Sequence, residues 1–175
     1  MAGCENDDKV LNDWTRKVVM KEEASNVVSY MSQDGQLRAK LTAPLMIRTN
    51  SDTITVEFPK NLHCDFYNDS TKLESTLSAK YGRYMENENK IYLRDSVVII
   101  RINGDTLETS ELYWDQTLGR FHTDKPVTTS QRNPRQKLYA RKGFSSNQTL
   151  TDITYYELDL GSFLFLPDSS SNQKQ

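Results

Sequence analysis

The sequence predicts an all-β fold, in which two twisted antiparallel sheets built from hairpin repeats face each other as a jelly roll or sandwich. Three observations support this class: period-two alternation of apolar side chains, frequent turn signals and an internal repeat. The composition agrees, with many Thr and Ser, nine Tyr, and only seven Gly and five Pro. Such residues fit the half-buried face of a pleated sheet.

Apolar side chains recur at every second position in short segments along the chain. Residues with this spacing share one face of a strand. Helical spacing is not sustained over any comparable length. The predicted strand faces, in chain order, are Leu37/Ala39/Leu41/Ala43, Ile54/Val56/Phe58, Leu62/Cys64/Phe66, Leu73/Ser75/Leu77/Ala79, Ile91/Leu93, Val98/Ile100/Ile102, Leu107/Thr109, Phe121/Thr123 and Leu138/Ala140.

Turn signals separate these segments at short intervals, among them Asp34-Gly35, Asn68-Asp69-Ser70 and Asn103-Gly104-Asp105. Asp-Gly and Asn-Gly supply the positive φ that tight hairpins require, so we expect most consecutive strands to pair antiparallel.

A repeat follows four of the turns, in strands that start with a similar pattern at Leu37, Leu73, Leu107 and Leu138. The strands between them end in Phe58-Pro59-Lys60-Asn61, Leu93-Arg94-Asp95 or Thr123-Asp124-Lys125 before the next strand begins. Periods of about 20–50 residues indicate stacked supersecondary units that cannot bury their apolar faces alone. Stacked hairpins with apolar inner faces give two facing sheets.

The domain limits follow from where the alternation stops. Residues 1–26 are predicted to form an N-terminal tether, residues 27–167 the jelly roll, and residues 168–175 a disordered polar tail. A chain of 175 residues fits a single domain of this kind.

Charge and hydropathy exclude two classes of function. Lys and Arg total 22 against 24 Asp and Glu, and this balance makes nucleic acid an unexpected partner. No apolar stretch approaches the roughly 18 residues needed to cross a bilayer. The apolar fraction of 36% allows a full core, although not a rich one.

The two cysteines suggest an anchor rather than a disulfide framework. Met1-Ala2-Gly3-Cys4 ends as a bacterial lipoprotein cleavage box does, which predicts a lipidated Cys4; the alternative is an ordinary cysteine near a disordered terminus. A disulfide from Cys4 to Cys64 stays open as a further alternative.

Catalytic constellations are nearly absent, so we expect no enzyme, no metal site and no cofactor. His63 and Asp65 flank Cys64, but in a strand they point to the opposite face, away from the thiol. The Tyr and Trp residues between positions 81 and 139 fit packing better than a sugar platform.

The segment YLRDSVVIIRINGDTLETSELYWD, with its hairpin turns and Leu-initiated strands, resembles the OstA-like proteins of lipopolysaccharide export. Among these the chain is most similar to the LptC family, over about Val27 to Phe165. Most members of that family carry an N-terminal transmembrane helix. Here Cys4 stands at a lipobox-like position instead.

The resemblance implies an open jelly roll that takes lipopolysaccharide from the membrane subunits of an inner-membrane ABC transporter. It would pass the lipid to a periplasmic, LptA-like bridge jelly roll by pairing of edge strands. Periodicity then selects the residues that fill the core or line the lipid path: Leu41, Val56, Phe58, Phe66, Leu77, Leu93, Ile100, Trp114, Phe121 and Leu138.

The resemblance also places two docking edges. The family's late strand-turn glycine matches Gly143, so Gly143 and Phe144 are expected at the export-side edge. Val28 and Tyr30 are expected at the opposite edge, toward the transporter. The protein would be periplasmic and held at the inner membrane by Cys4.

The competing interpretation is a glycan-binding β-sandwich of a surface or secreted protein. Such a protein would expose aromatic side chains on an outer face above a closed core, whereas a lipid bridge keeps an apolar cleft.

Overall fold

A computed structural model describes residues 19–33, 35–51 and 53–159 of the chain. These residues form thirteen β-strands and a single 3₁₀ turn, Glu86–Glu88. The strands are β1 Met20–Gln33, β2 Gln36–Asn50, β3 Ile54–Phe58, β4 Leu62–Tyr67, β5 Leu73–Ala79, β6 Tyr81–Met85, β7 Lys90–Arg101, β8 Thr106–Asp115, β9 Arg120–Thr123, β10 Val127–Gln131, β11 Gln136–Ala140, β12 Phe144–Asn147 and β13 Ile153–Tyr155.

All strands join one antiparallel hydrogen-bonded network, which confirms the all-β, jelly-roll-like class. The long strands β2, β7 and β8 each contribute to two layers, because their two halves pair with different neighbours. In β7, residues 90–94 pair with β6, whereas residues 98–101 pair with β5. The network therefore folds over on itself.

A line of bends, which we call the seam, marks where the network folds. It runs through Asn26, Asn61, Lys80, Asp95 and Ser96. Four of these residues have positive φ, between 53° and 62°. The amide of Asn61 donates to the Lys80 carbonyl, and the amide of Lys80 donates to the Asp95 carbonyl, both at 2.9 Å. The bends of successive strands are thus hydrogen-bonded to one another.

The seam explains the repeat in the sequence. Each repeat starts a strand in the first layer, at Leu37, Leu73, Leu107 and Leu138, and the chain then crosses the seam into the second layer. The first layer contains β4, β5, β10, β11 and one half each of β2, β7 and β8. The second contains β3, β6, β9, β12, β13 and the other halves.

The two layers face each other across the core. Phe66 of the first layer packs edge-on against Trp114 of the second, with ring centroids 5.0 Å apart. The Tyr155 hydroxyl in β13 donates to Thr129 Oγ1 in β10 at 2.9 Å. Gly82 permits a close approach of the layers, since a Cβ there would overlap the Leu62 side chain. Apolar side chains of both layers fill the space between them.

The N-terminal boundary lies earlier than the expected residue 27. Strand β1 begins at Met20, and residues 20–25 pair with residues 45–50 of β2. The side chains in this stretch are mostly exposed, so they show no apolar alternation. Backbone pairing to a long neighbour, rather than burial, makes the segment a strand. The proposed lipid anchor Cys4 and the predicted tail 168–175 lie outside the described residues.

The expectation for Ile100 was wrong. Val97 and Ile99 are buried, whereas Ile100 is 44% exposed on the outer face and Ile102 is 73% exposed. The run Val97-Val98-Ile99-Ile100 is apolar on both faces, so its alternation does not select one. The strand keeps the phase set by Ile91 and Leu93, which turns Ile100 away from the interior.

Candidate functional site

The candidate site is the interior between the two layers together with its openings. The structure brings nine of the ten predicted lipid-path residues to the inner face, Ile100 being the exception. Val56 is half-buried against the core, and the other eight are buried: Leu41, Phe58, Phe66, Leu77, Leu93, Trp114, Phe121 and Leu138. The centre of the interior is therefore filled by the protein's own side chains.

An aromatic cluster forms the middle of this interior. Phe66, Trp114 and Phe121 contact one another with centroid separations of 5.0 to 5.8 Å. Edge-to-face pairs of this kind stabilise by about 0.5–1.5 kcal/mol beyond their buried area. A bound acyl chain would have to lie beside this cluster or displace part of it.

The interior opens opposite the seam, at a mouth formed by Gln33, Arg38, Phe66, Trp114, Gln116 and Gln148. Two adjoining cavities of about 450 and 270 Å³ lie here, between the β1–β2 end of the first layer and the β8 and β12 ends of the second. The larger falls in the range of roughly 300–1,000 Å³ typical of ligand pockets. Periodicity did not predict this mouth, because its residues lie at strand ends.

Arg38 enters the mouth because the β1–β2 ladder shifts register. Ala39 pairs with Met31, but Leu37 pairs with Ser32, so Arg38 is the extra residue of a bulge. Its guanidinium forms an ion pair with Asp69 in the β4–β5 turn. The side chain is 29% exposed. A residue that alternation would place on the outer face thus borders both cavities.

The β12–β13 loop covers part of the mouth. Its Leu150 is 4% exposed and belongs to the core cluster. Asn147 holds the loop, since its Oδ1 accepts from the amides of Thr151 and Asp152 at 3.0 and 3.1 Å. Gln148 and Thr149 of this loop border the mouth, whereas Leu150 lines a separate, small cavity with Leu107 and Ile153.

A third cavity, of about 580 Å³, lies on the outside of the first layer next to the seam. His63 and Ser78 border it, with 2.9 Å between Nδ1 and Oγ, and His63 Nε2 lies 3.0 Å from Asp65 Oδ1. This resembles a catalytic triad in connectivity only. Ser78 pairs with strands on both sides, so the amides around it serve the sheet and leave no oxyanion hole.

Cys64 points away from that group, as alternation predicted. It is 1% exposed on the inner face. Burial, and secondarily the charge of Asp65, raise the pKa of the Cys64 thiol to about 12. The thiol is therefore protonated at neutral pH and is not an activated nucleophile.

Strand β1 is an edge of the network, since in the described ranges it pairs only with β2. Val28 and Tyr30 are 51% and 62% exposed on it. Their predicted position at the transporter-side edge is therefore available to an incoming strand, and their binding role stays a prediction.

Gly143 and Phe144 do not form the opposite edge, which corrects that expectation. Phe144 is fully buried, and β12 is paired on both sides, with β9 and β13. Gly143 has a positive φ of 80° and a close backbone approach. The approaching backbone is the protein's own Thr123 carbonyl in β9.

Aromatic side chains do occur on the outer face of the second layer. Tyr92 lies 5.0 Å from Tyr113, and Tyr113 stacks on His122 at 5.2 Å with ring planes 14° apart. The ring faces are thus turned toward one another along the sheet. A sugar platform needs ring faces open to solvent, so this arrangement does not favour the glycan-binding alternative.

Neither a metal site nor a membrane-spanning helix can be assigned within residues 19–159. The described His, Cys, Asp and Glu side chains form no group of three or more that could hold an ion. The same part of the chain contains no helix with the length and apolar character to cross a bilayer.

Comparison with protein families gives the decisive observation. The family model for lipopolysaccharide assembly, LptC-related, matches residues 19–137, which is more than half of the chain. This protein belongs to the LptC family. The match begins one residue before β1 and runs into β11, so it covers the seam, most of both layers and most of the mouth of this LptC-family chain. No individual curated protein matches the sequence.

Membership in the LptC family confirms the resemblance inferred from the strand and turn pattern and assigns the chain to lipopolysaccharide assembly. The alternation and the repeat predicted the fold and most of the inner face. They did not predict Arg38, Gln116 and Gln148 at the mouth, or the buried Leu150 of the β12–β13 loop. Arg38 occupies a polar position of the alternation, as Lys40 does, and the other three lie beyond strand ends, so the pattern contains no signal for them.

Proposed function

We propose that this LptC-family protein accepts lipopolysaccharide from an inner-membrane ABC transporter and passes it to a periplasmic bridge jelly roll. The observation that carries the proposal is an apolar interior between two layers that opens at a mouth with cavities of about 450 and 270 Å³. Acyl chains would lie in the interior, and the sugars would stay in water outside.

The energy for holding the lipid comes from burying acyl chains. Removing apolar surface from water stabilises by about 25 cal/mol per Å². The protein supplies part of that surface already, since Val56 and Met46 are partly buried and pack against the core.

Transfer would proceed along edges. An incoming strand of the transporter's periplasmic part would pair with β1 beside Val28 and Tyr30, and the bridge protein would pair at the far end. At that end, β13 pairs only with β12 among the described strands. Beyond β13, the backbone amide of Asp159 donates to the Tyr139 carbonyl at 2.8 Å. Gly143 and Phe144 would act indirectly, by fixing β12 as the support for this edge.

The protein would work in the periplasm at the inner membrane, held there by a lipidated Cys4. Two anchoring signals, or one chain with additional contacts, are needed for stable attachment. Pairing of β1 with the transporter would be the second contact. Replacement of Cys4 by Ser, in protein expressed with a lipoprotein leader, would then release most of it from membranes unless the transporter is present.

Site-specific photo-crosslinking tests the lipid path. A crosslinker at Met46, Val56 or Tyr84 faces inward but is only partly buried, so the fold should tolerate it. These positions should capture lipopolysaccharide in cells. The matched control is Ile100, an apolar residue of similar size that lies on the outer face. Labelling at Ile100 equal to that at the inner positions would reject the interior path.

A further inference from the structure

Three buried polar side-chain atoms have no hydrogen-bond partner in the part of the chain that the structure describes: Arg38 Nε, Ser75 Oγ and Trp114 Nε1. Ser75 is 2% exposed and Trp114 is 4% exposed. Buried polar groups in native proteins are almost always paired, and each unpaired group is costly. Three such atoms therefore call for a physical reason.

The three residues surround the same side chain, Phe66. Ser75 is its ladder partner on β5, and Ala39, next to Arg38, is its ladder partner on β2. Trp114 packs on it from the opposite layer at 5.0 Å. Arg38 and Trp114 also line the same 450 Å³ cavity. Two of the unpaired atoms therefore belong to residues of the mouth, and the third belongs to a ladder partner of Phe66.

Their chemistry specifies the missing partner. Guanidinium and indole N–H groups only donate, and a serine hydroxyl can donate as well. Gln116 lines the same cavity, and its side-chain amide donates to Met31 Sδ at 3.0 Å, although a thioether is a weak acceptor. The complementary ligand group is consequently an oxygen that accepts hydrogen bonds.

The charge of the mouth indicates that this oxygen is uncharged. Arg38 is already paired with Asp69, and Glu74 lines the adjoining cavity. A phosphate or free carboxylate would face two acidic side chains with a single, partly neutralised cation. A carbonyl oxygen meets no such penalty, and the apolar surfaces of Ala39, Phe66 and Trp114 suit the chain attached to it.

We propose that the mouth binds the ester or amide carbonyls through which acyl chains join a polar head group. This inference rests on the proposed lipid-carrying function and adds to it a contact that sets how deeply the lipid enters the interior. With a carbonyl held by Trp114 Nε1 and Arg38 Nε, the acyl chain lies on the Phe66 side of the mouth and the sugar on the solvent side.

The indole N–H of Trp114 provides a direct readout. The chain has two Trp, so Trp14→Phe leaves a single indole signal in a ¹H–¹⁵N spectrum. The ligands are a diester phosphatidylglycerol and the diether analogue of equal chain length, which keeps the phosphate but lacks carbonyls. The diester should shift the indole proton downfield and the diether should not. Inorganic phosphate alone should leave it unchanged.

Two variants test the same contact by affinity. Trp114→Phe keeps the aromatic ring and removes the donor, and should weaken diester binding about fivefold to tenfold while leaving diether binding unchanged. Arg38→Lys keeps the charge beside Asp69 but removes Nε, and should act in the same direction. Because Arg38 is partly exposed, Arg38→Lys should leave the fold intact. It therefore tests the contact even if Trp114→Phe unfolds at a lower temperature.

The outcomes distinguish the carbonyl site from lipid carriage itself. Equal binding of diester and diether, with both variants unaffected, would overturn the carbonyl site while leaving lipid carriage intact. Binding of neither phospholipid would overturn the carbonyl site, while capture of lipopolysaccharide by the inner crosslinkers tests the carrier function separately. An indole shift caused by inorganic phosphate would replace the carbonyl with an anionic oxygen as the ligand.

Discussion

Gly143→Ala is predicted to destabilise the fold much more than an alanine at another positive-φ glycine. Gly143 has φ at 80°, where an L side chain is strained by about 1–2 kcal/mol. In addition, an added Cβ would overlap the Thr123 carbonyl oxygen and lie 2.7 Å from the carbonyl carbon. Thr123 belongs to the paired strand β9, so it cannot move aside without disturbing the ladder.

The magnitude follows from these two contributions. Overpacking of this kind costs about 1–3 kcal/mol. With the φ strain the loss is about 3 kcal/mol, which corresponds to a decrease in Tm of roughly 6–12 °C for a chain of this size. Gly119→Ala is the matched control, because φ there is 58° and nothing lies within 4 Å of the added Cβ. It should lose about 1 kcal/mol, or roughly 2–4 °C.

Urea unfolding followed by circular dichroism, with thermal melting beside it, measures both variants. If Gly143→Ala and Gly119→Ala lose the same stability, the close packing of β12 on β9 is not as described. Reduced binding to the bridge protein by a Gly143 variant of unchanged stability would instead restore the direct docking role first expected for this glycine.

Three further predictions concern the inner face. Ile99→Ala should lower the free energy of unfolding by about 2–5 kcal/mol, whereas Ile100→Ala should change it by less than about 1 kcal/mol. Denaturant titration measures both variants. A larger loss for Ile100→Ala than for Ile99→Ala would mean that the opposite face of β7 packs inward. Leu150→Ala should cost about 2–5 kcal/mol because this side chain is only 4% exposed, and a change below about 1 kcal/mol on denaturant titration would show that the β12–β13 loop does not pack on the core. Because burial raises the pKa of Cys64 to about 12, the folded state holds this proton where the unfolded state has lost it, so the stability contributed by the neutral thiol should fall as pH rises from the ordinary thiol range toward 12. Cys64→Ala should make that alkaline decline less steep, and an unchanged slope would assign the decline to other groups.

The sequence by itself determined the strands in which apolar and polar residues alternate. Period-two alternation specifies one face of a strand wherever apolar and polar residues truly alternate, as in Leu62-His63-Cys64-Asp65-Phe66, so the inner face of β4 was predictable. The repeat identified the hairpin unit. The motifs around Lys60, Asp95 and Lys125 marked where the chain passes from one layer to the other. These are local properties, encoded within a few residues.

The tertiary structure decided which surfaces are free and which are covered. Val97-Val98-Ile99-Ile100 carries no alternation, so only packing against the opposite layer placed Ile100 outside. Arg38 enters the mouth through a one-residue shift between β1 and β2, which depends on both strands at once. Gly143 lies inside the network because β13 returns to cover β12. Burial, register and edge exposure are relations between segments distant in sequence, and a pattern read within one segment does not contain them.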